Sequence, residues 1–301
     1  MANTENQVIE IIPTLLVGDQ TFDPANIPSS TLCIEFGDQQ IRFCIVKEEN
    51  MECVWLEDYA LDQTLTQEEL FEKVKRVFTG HLLWSSSAWN SVRISVNSGL
   101  FSLVPNLLFD EQHAAGYLSF SAGNAPLKQD IVLHHELPLV HAHTVFSMRQ
   151  SWHEWILNHF RSSHLSFYHF TSPLVIGALV SHLEHQEIRI VSLYFEKDQF
   201  TITVTESQQL ILCNRFRFKE VHEMAYIVLF TLGQLGYEPE EVKVLCYGDI
   251  SATADAYQEL SHFLPGLQIG GRPTTLKYNS QCAEVPGHRY FGLFNTYLVS
   301  S

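Results

Sequence analysis

A block of strand-like sequence recurs in this chain, and the recurrence limits the available folds more than any other feature. Residues 32–61 (LCIEFGDQQIRFCIVKEENMECVWLEDYAL) predict three short strands joined by tight polar turns. Residues 188–219 (IRIVSLYFEKDQFTITVTESQQLILCNRFRFK) predict the same pattern and start 156 residues later (188 minus 32). Each copy leads into helical spacing and then one apolar strand: Gln67–Phe78 with Val92–Val96, and Glu220–Leu235 with Val242–Cys246. A β-β-β-α-β order used twice at domain spacing predicts two similar lobes with a cleft between them.

The remaining chain fits around those blocks. The three prolines of residues 1–30, with an apolar stretch at Val8–Leu16, predict an N-terminal strand or arm. We divide the rest into a first lobe at 31–170 and a second at 171–301. Within the first block, Ile41, Phe43 and Ile45 share one strand face and Arg42 takes the other. Thr66 followed by Glu69 is a capping box for the first helix. Strands are expected at Leu100–Leu108, Ile131–Leu137, Leu139–Ser147 and Leu165–Phe170. Helices are expected at Asp110–Leu118, Met148–Arg161, Ser172–Leu183 and Ala252–Phe263. The helix at 220–235 is apolar around most of its circumference, which predicts burial on two sides, with Gly236 as its cap. An aromatic strand is expected around Tyr290–Leu298.

Charge narrows the function classes. With 18 Lys and Arg against 34 Asp and Glu, the formal charge is −16, and Lys73–Arg76 is the longest basic run. Such a surface repels nucleic-acid backbones and anionic membranes. No apolar run reaches the roughly 18–20 residues needed to span a bilayer. The N-terminus lacks a signal-peptide pattern, so a soluble, cytoplasmic protein is expected. Six cysteines without a CxxC pair, five of them in expected strands, fit a reducing compartment.

The repeated unit is the plan of the actin and Hsp70-like ATPase superfamily, and the sequence more specifically resembles an uncharacterised bacterial family assigned an actin-like ATPase fold. The run Phe200–Phe218, the helix ending Thr231–Leu235, Val244–Asp249 (VLCYGD) and His288–Asn295 (HRYFGLFN) carry that resemblance. A weaker similarity links the chain to actin-like scaffold proteins of type IV pilus and type II secretion machines. The resemblance implies an α/β class with a duplicated ribonuclease H-like fold. Each lobe would hold a mixed five-stranded sheet flanked by helices.

It also implies a nucleotide site between the lobes, with ATP and Mg as cofactors. Active relatives place an Asp-x-Gly type turn in each lobe's first hairpin, where backbone amides approach phosphate. Here the first hairpin offers Glu35, Gly37 and Asp38, with the longer Glu35 where Asp is expected. The second hairpin has no glycine; Tyr194 and Phe195 stand where small residues are needed. Tyr247-Gly248-Asp249 keeps one glycine of an expected pair, giving Gly248 and Asp249 as further nucleotide-site candidates. Gly37-Asp38 is equally ordinary turn chemistry. Ten of the fifteen histidines fall between His134 and His185. His141 and His143, at i, i+2 on an expected strand, are candidate metal ligands on one face. Neither HExxH nor a GxSxG elbow occurs. The resulting expectation is a scaffold that contacts another protein through a fold whose nucleotide site has degenerated. The alternative is ATP binding or slow hydrolysis in the cleft.

Overall fold

The computed structural model describes residues 12–19, 22–37, 40–61, 64–123 and 125–299. The first repeat forms β2 (Ser30–Phe36), β3 (Gln40–Lys47), β4 (Glu52–Ala60), α1 (Gln67–Gly80) and β5 (Ser91–Val96), preceded by the short edge strand β1 (Leu15–Gly18). Thr66 caps α1 through the expected capping box. β2, β3 and β4 run antiparallel, while β5 joins β2 in parallel, as a crossover through a helix requires.

Between β5 and the next strand of this sheet lies an insertion with its own three-stranded antiparallel sheet. It contains β6 (Phe101–Pro105), α2 (Ala114–Ala122), β7 (Asp130–Leu137) and β8 (Ala142–Arg149), in the order β6-β8-β7. α3 (Gln150–His159) returns the chain to β9 (His164–His169), which pairs in parallel with β5. α4 (Thr171–Leu183) then leads to the second repeat: β10 (Arg189–Phe195), β11 (Gln199–Glu206), β12 (Gln209–Arg217), α5 (Val221–Leu235) and β13 (Lys243–Gly248). Gly236 ends α5 in the left-handed region, at φ 72°. α6 (Asp255–Ser261) and β14 (Leu267–Ile269) complete that sheet.

The two sheets share one five-strand order: β4-β3-β2-β5-β9 and β12-β11-β10-β13-β14. The first is widened by β1 and by β15 (Lys277–Tyr278), both on β4. Thus the C-terminal stretch, assigned from sequence to the second lobe, crosses back onto the first. α7 (Phe291–Thr296) packs there too, and it corrects the aromatic strand expected at 290–298. All six of its residues are buried. A segment enclosed on every side shows no polar face, so periodicity does not separate helix from strand.

Residue alternation divides the first sheet cleanly. Ile34, Phe36, Ile41, Phe43 and Ile45 pack with Val74, Phe78, Ile156 and Phe160 of α1 and the end of α3. On the opposite face Cys33, Cys44, Cys53 and Leu56 meet Leu276, Cys282, Leu293 and Phe294 of the C-terminal stretch. α4 lies on the second sheet, and α4 and α7 cross between the lobes. Gly177 and Gly292 allow that approach, since a Cβ on Gly177 would overlap Asn295 and Phe291. Among the described residues no helix is long and apolar enough to cross a membrane.

Candidate site at the seam between the lobes

Strand register identifies equivalent positions in the two lobes. Phe36 opposite Ile41 closes the first hairpin, and Phe195 opposite Phe200 closes the second, 159 residues later (195 minus 36). Gly37 N–H donates to Gln40 O at 3.0 Å, and Glu196 N–H donates to Gln199 O at 2.9 Å. Asn97 N–H donates to Phe36 O, as Asp249 N–H does to Phe195 O. Glu35 therefore corresponds to Tyr194, Gly37 to Glu196, Arg42 to Thr201, Asp58 to Arg215 and Asn97 to Asp249. Tyr194 and Phe195, expected from sequence at the positions that need small residues, match the strand residues Glu35 and Phe36, and the turn residue equivalent to Gly37 is Glu196.

Glu35, Arg42 and Asp58 are direct cross-strand neighbours on β2, β3 and β4. They share the face turned toward the second lobe. Arg42 Nη1 donates to Glu35 Oε1 at 3.3 Å and to the Tyr194 hydroxyl at 3.1 Å, and Nε donates to Asp58 Oδ2 at 3.2 Å. Its Nη2 lies 3.5 Å from Asp249 Oδ1, and Arg289 Nε lies 3.3 Å from the same oxygen. Tyr290 donates its hydroxyl to Asp58 and stands under the Arg42 guanidinium. A second set latches the lobes beside this one. Asn97 Nδ2 donates to Glu196 Oε1 at 2.6 Å, Arg215 Nη2 donates to Glu196 Oε2 at 2.8 Å, and Arg215 Nη1 donates to Ser98 O.

Burial sets the protonation balance. Glu35 is fully buried, and loss of water pushes its carboxyl up to about 7 against the attraction of Arg42. Burial also opposes the charge of Arg42, but Tyr194, Glu35, Asp58 and Asp249 outweigh it and hold the guanidinium ionised. His169, which packs against this region, is held down to about 3 by burial and by Arg215. The hydrogen bonds fit that neutral state: Nε2 donates to Ser98 O while Nδ1 accepts from Thr171 N–H.

The sequence candidates fare differently. Glu35 and Asp249 come together, and what joins them is Arg42, which the sequence reading placed simply on the other strand face. Their carboxylates converge on a guanidinium, with Glu35 Oε1 and Asp249 Oδ1 both turned to it. Gly248 has a backbone reason: at φ 82°, any Cβ would run into the Phe195 backbone. Gly37 lies at the seam's edge, where a Cβ would make ordinary contacts at 3.5–3.6 Å. Asp38 lies outside the described residues.

His141 and His143 do not share a strand face. His141 sits in the left-handed region at φ 50°, just before β8, while the His143 ring stacks on Phe109 and pairs with Asn106. Among the described residues no group of three His, Cys, Asp or Glu side chains is arranged to hold a metal. The signal for Arg42 was legible in principle. An arginine inside IRFCIV, with an acid on each neighbouring strand of the hairpin, marks a charge that burial must pair.

Residues 19–267 match the family described as protein of unknown function DUF3822, and the chain belongs to that family. No curated protein matches the sequence. Among solved structures, a Bacteroides thetaiotaomicron protein with an actin-like ATPase fold and unknown function is similar at TM-score 0.70 and 21% identity. That match covers 83% of this chain and 93% of the other. A structure described as the PilM–PilN type IV pilus biogenesis complex is similar at TM-score 0.62 and 11% identity, covering 90% and 99%. The fold is therefore the duplicated, actin-like one.

Proposed function

We propose that this DUF3822 protein is a non-catalytic scaffold that works through protein contacts, with the seam between its lobes serving to fix their relative position. The observation that carries this reading is the Arg42 guanidinium, buried where the two lobes meet and bound to groups from both. A triphosphate entering there would have to displace it and meet Glu35, Asp58, Glu196 and Asp249. Glu196 on the second hairpin adds negative charge at the turn where a phosphate would approach, and like charges in a dry site repel strongly. The pilus relative was solved as a PilM–PilN complex, which favours protein binding as the use of such a fold.

The test combines nucleotide and partner. Ligand at 100 times its Kd adds about 2.7 kcal/mol, or a rise in Tm of about 5 °C or more for a chain of this size. Millimolar Mg-ATP is expected to leave Tm unchanged, and reciprocal affinity capture from the producing cells is expected to return one stoichiometric protein partner. A saturable Mg-ATP shift together with measurable phosphate release would sink the scaffold reading.

One observation favours a second reading, ATP binding in an opened seam. Glu35 Oε2, Ser95 Oγ, Ser192 Oγ, Thr201 Oγ1, Arg215 Nε and Asn295 Oδ1 are buried without a hydrogen-bond partner. Orphaned polar atoms call for an explanation, and a ligand that parts the lobes is one. A Tm rise with ATP that Asn97→Ala enhances would support it, because loss of the Asn97–Glu196 latch eases opening.

A further inference from the structure

We propose that a cavity on the outer side of the first sheet is a binding site for a small, uncharged aromatic molecule of about two fused rings. The cavity holds about 360 Å³ and lies between the C-terminal ends of β2 and β5, α1 and the start of α3. Ligands of open α/β sheets bind beyond the carboxyl ends of parallel strands. This site therefore has the expected address, on the sheet face away from Arg42.

Its chemistry selects the ligand. Phe36, Leu61, Leu70, Val96, Met148 and Trp152 are among its apolar lining residues. The Phe36 and Trp152 rings meet edge to face with centroids 5.4 Å apart, an arrangement that a further ring can extend. Arg149 is the cationic residue of the described wall, and its Nη1 is bound to Asp130 Oδ1 at 3.2 Å. The pair is neutral overall, so a phosphate or carboxylate would find no uncompensated charge to repay its own desolvation, whereas a neutral molecule brings no charge to desolvate. Size sets the number of rings. An apolar cavity of about 150 Å³ takes one benzene, and the present volume is a little over twice that.

The turn that closes the cavity also ties it to the seam. Asn97, Ser98 and Gly99 line the wall, and this turn reaches the second lobe through the Asn97–Glu196 and Arg215–Ser98 bonds.

2-Naphthol and indole are the probes, with cyclohexanol as the aliphatic control, titrated against the full chain by ligand-observed NMR and intrinsic fluorescence. Saturable 2-naphthol binding is expected. Val96→Phe and Leu100→Trp, which fill the cavity, should weaken it by about tenfold or more, equivalent to about 1.4 kcal/mol. Trp152→Phe keeps an apolar ring in place and serves if the filling variants fail to fold: binding should persist while most of the fluorescence change disappears. No saturation up to the solubility limit, undiminished binding in a folded filling variant, or an unchanged fluorescence response in Trp152→Phe overturns the site. Cyclohexanol binding as tightly as 2-naphthol overturns the aromatic class.

Discussion

Arg42 and Glu35 are the residues on which the seam turns, and each makes a separate prediction. Removing a buried cation strands the acids that surround it, which typically costs about 3–5 kcal/mol. Arg42→Met is therefore expected to lower unfolding free energy in urea by that order, with Glu35→Gln in the same chain recovering part of the loss. Glu35 itself has a folded value of about 7, above its ordinary 4.5. The folded state thus holds a proton that the unfolded state releases, and stability falls as pH rises between those values. His169 acts in the opposite sense, because its folded value of about 3 lies below 6.5 and its contribution is lost as pH falls. Between pH 4.5 and 6.5 the two slopes oppose one another. Glu35→Gln should remove one of them, so that the variant gains on the wild type by about 1.4 kcal/mol per pH unit across 4.5 to 7, then levels off. Chemical denaturation at a series of pH values measures this. A constant difference between the chains would show that Glu35 is ionised throughout. The need to pair Arg42 was legible from the acids on its neighbouring strands, but the raised proton affinity of Glu35 was not, since it comes from the lobe packed over that face.

At the scale of elements, the crossing of α4 and α7 holds the lobes at their observed spacing. Gly177 is the contact point, and a methyl there would overlap Asn295 and the Phe291 ring. Alanine has the better helix propensity by about 1 kcal/mol, so a purely local view predicts that Gly177→Ala stabilises. Overpacking at a closed crossing costs about 1–3 kcal/mol, and we expect net destabilisation, read as a lower urea midpoint. Gly236→Ala, at an open cap, should be milder despite its positive φ, since nothing lies within 4 Å. The long elements were legible beforehand: α1 from its capping box and α5 from its Gly236 stop. β15, two residues long, and α7 were not. A two-residue strand exists through its partner β4, and α7 is enclosed too fully to show a helical stripe.

At the scale of the molecule, residues 277–299 leave the second lobe to cover the inner face of the first sheet. Arg93 on β5 fixes this return by donating to the carbonyls of Tyr297 and Val299. Beneath it lie Cys33, Cys44, Cys53 and Cys282, all fully buried. Arg93→Gln should loosen the cover, and labelling of those thiols by a disulfide reagent under native conditions is expected to quicken by about tenfold or more, in proportion to the opened population. Unchanged labelling would mean that the cover is held without Arg93. The sequence by itself determined the duplicated α/β plan, because hydrophobic periodicity and turn residues are local properties that the two copies carry independently. It also carried the missing glycine of the second hairpin. The tertiary structure alone decided that Arg42 meets Tyr194 and Asp249 across 152 residues or more of chain, that residues 277–299 belong with the first sheet, and that a cavity opens beside Trp152. Those are relations between surfaces distant in sequence, fixed by which faces are buried against which, and no local pattern encodes them.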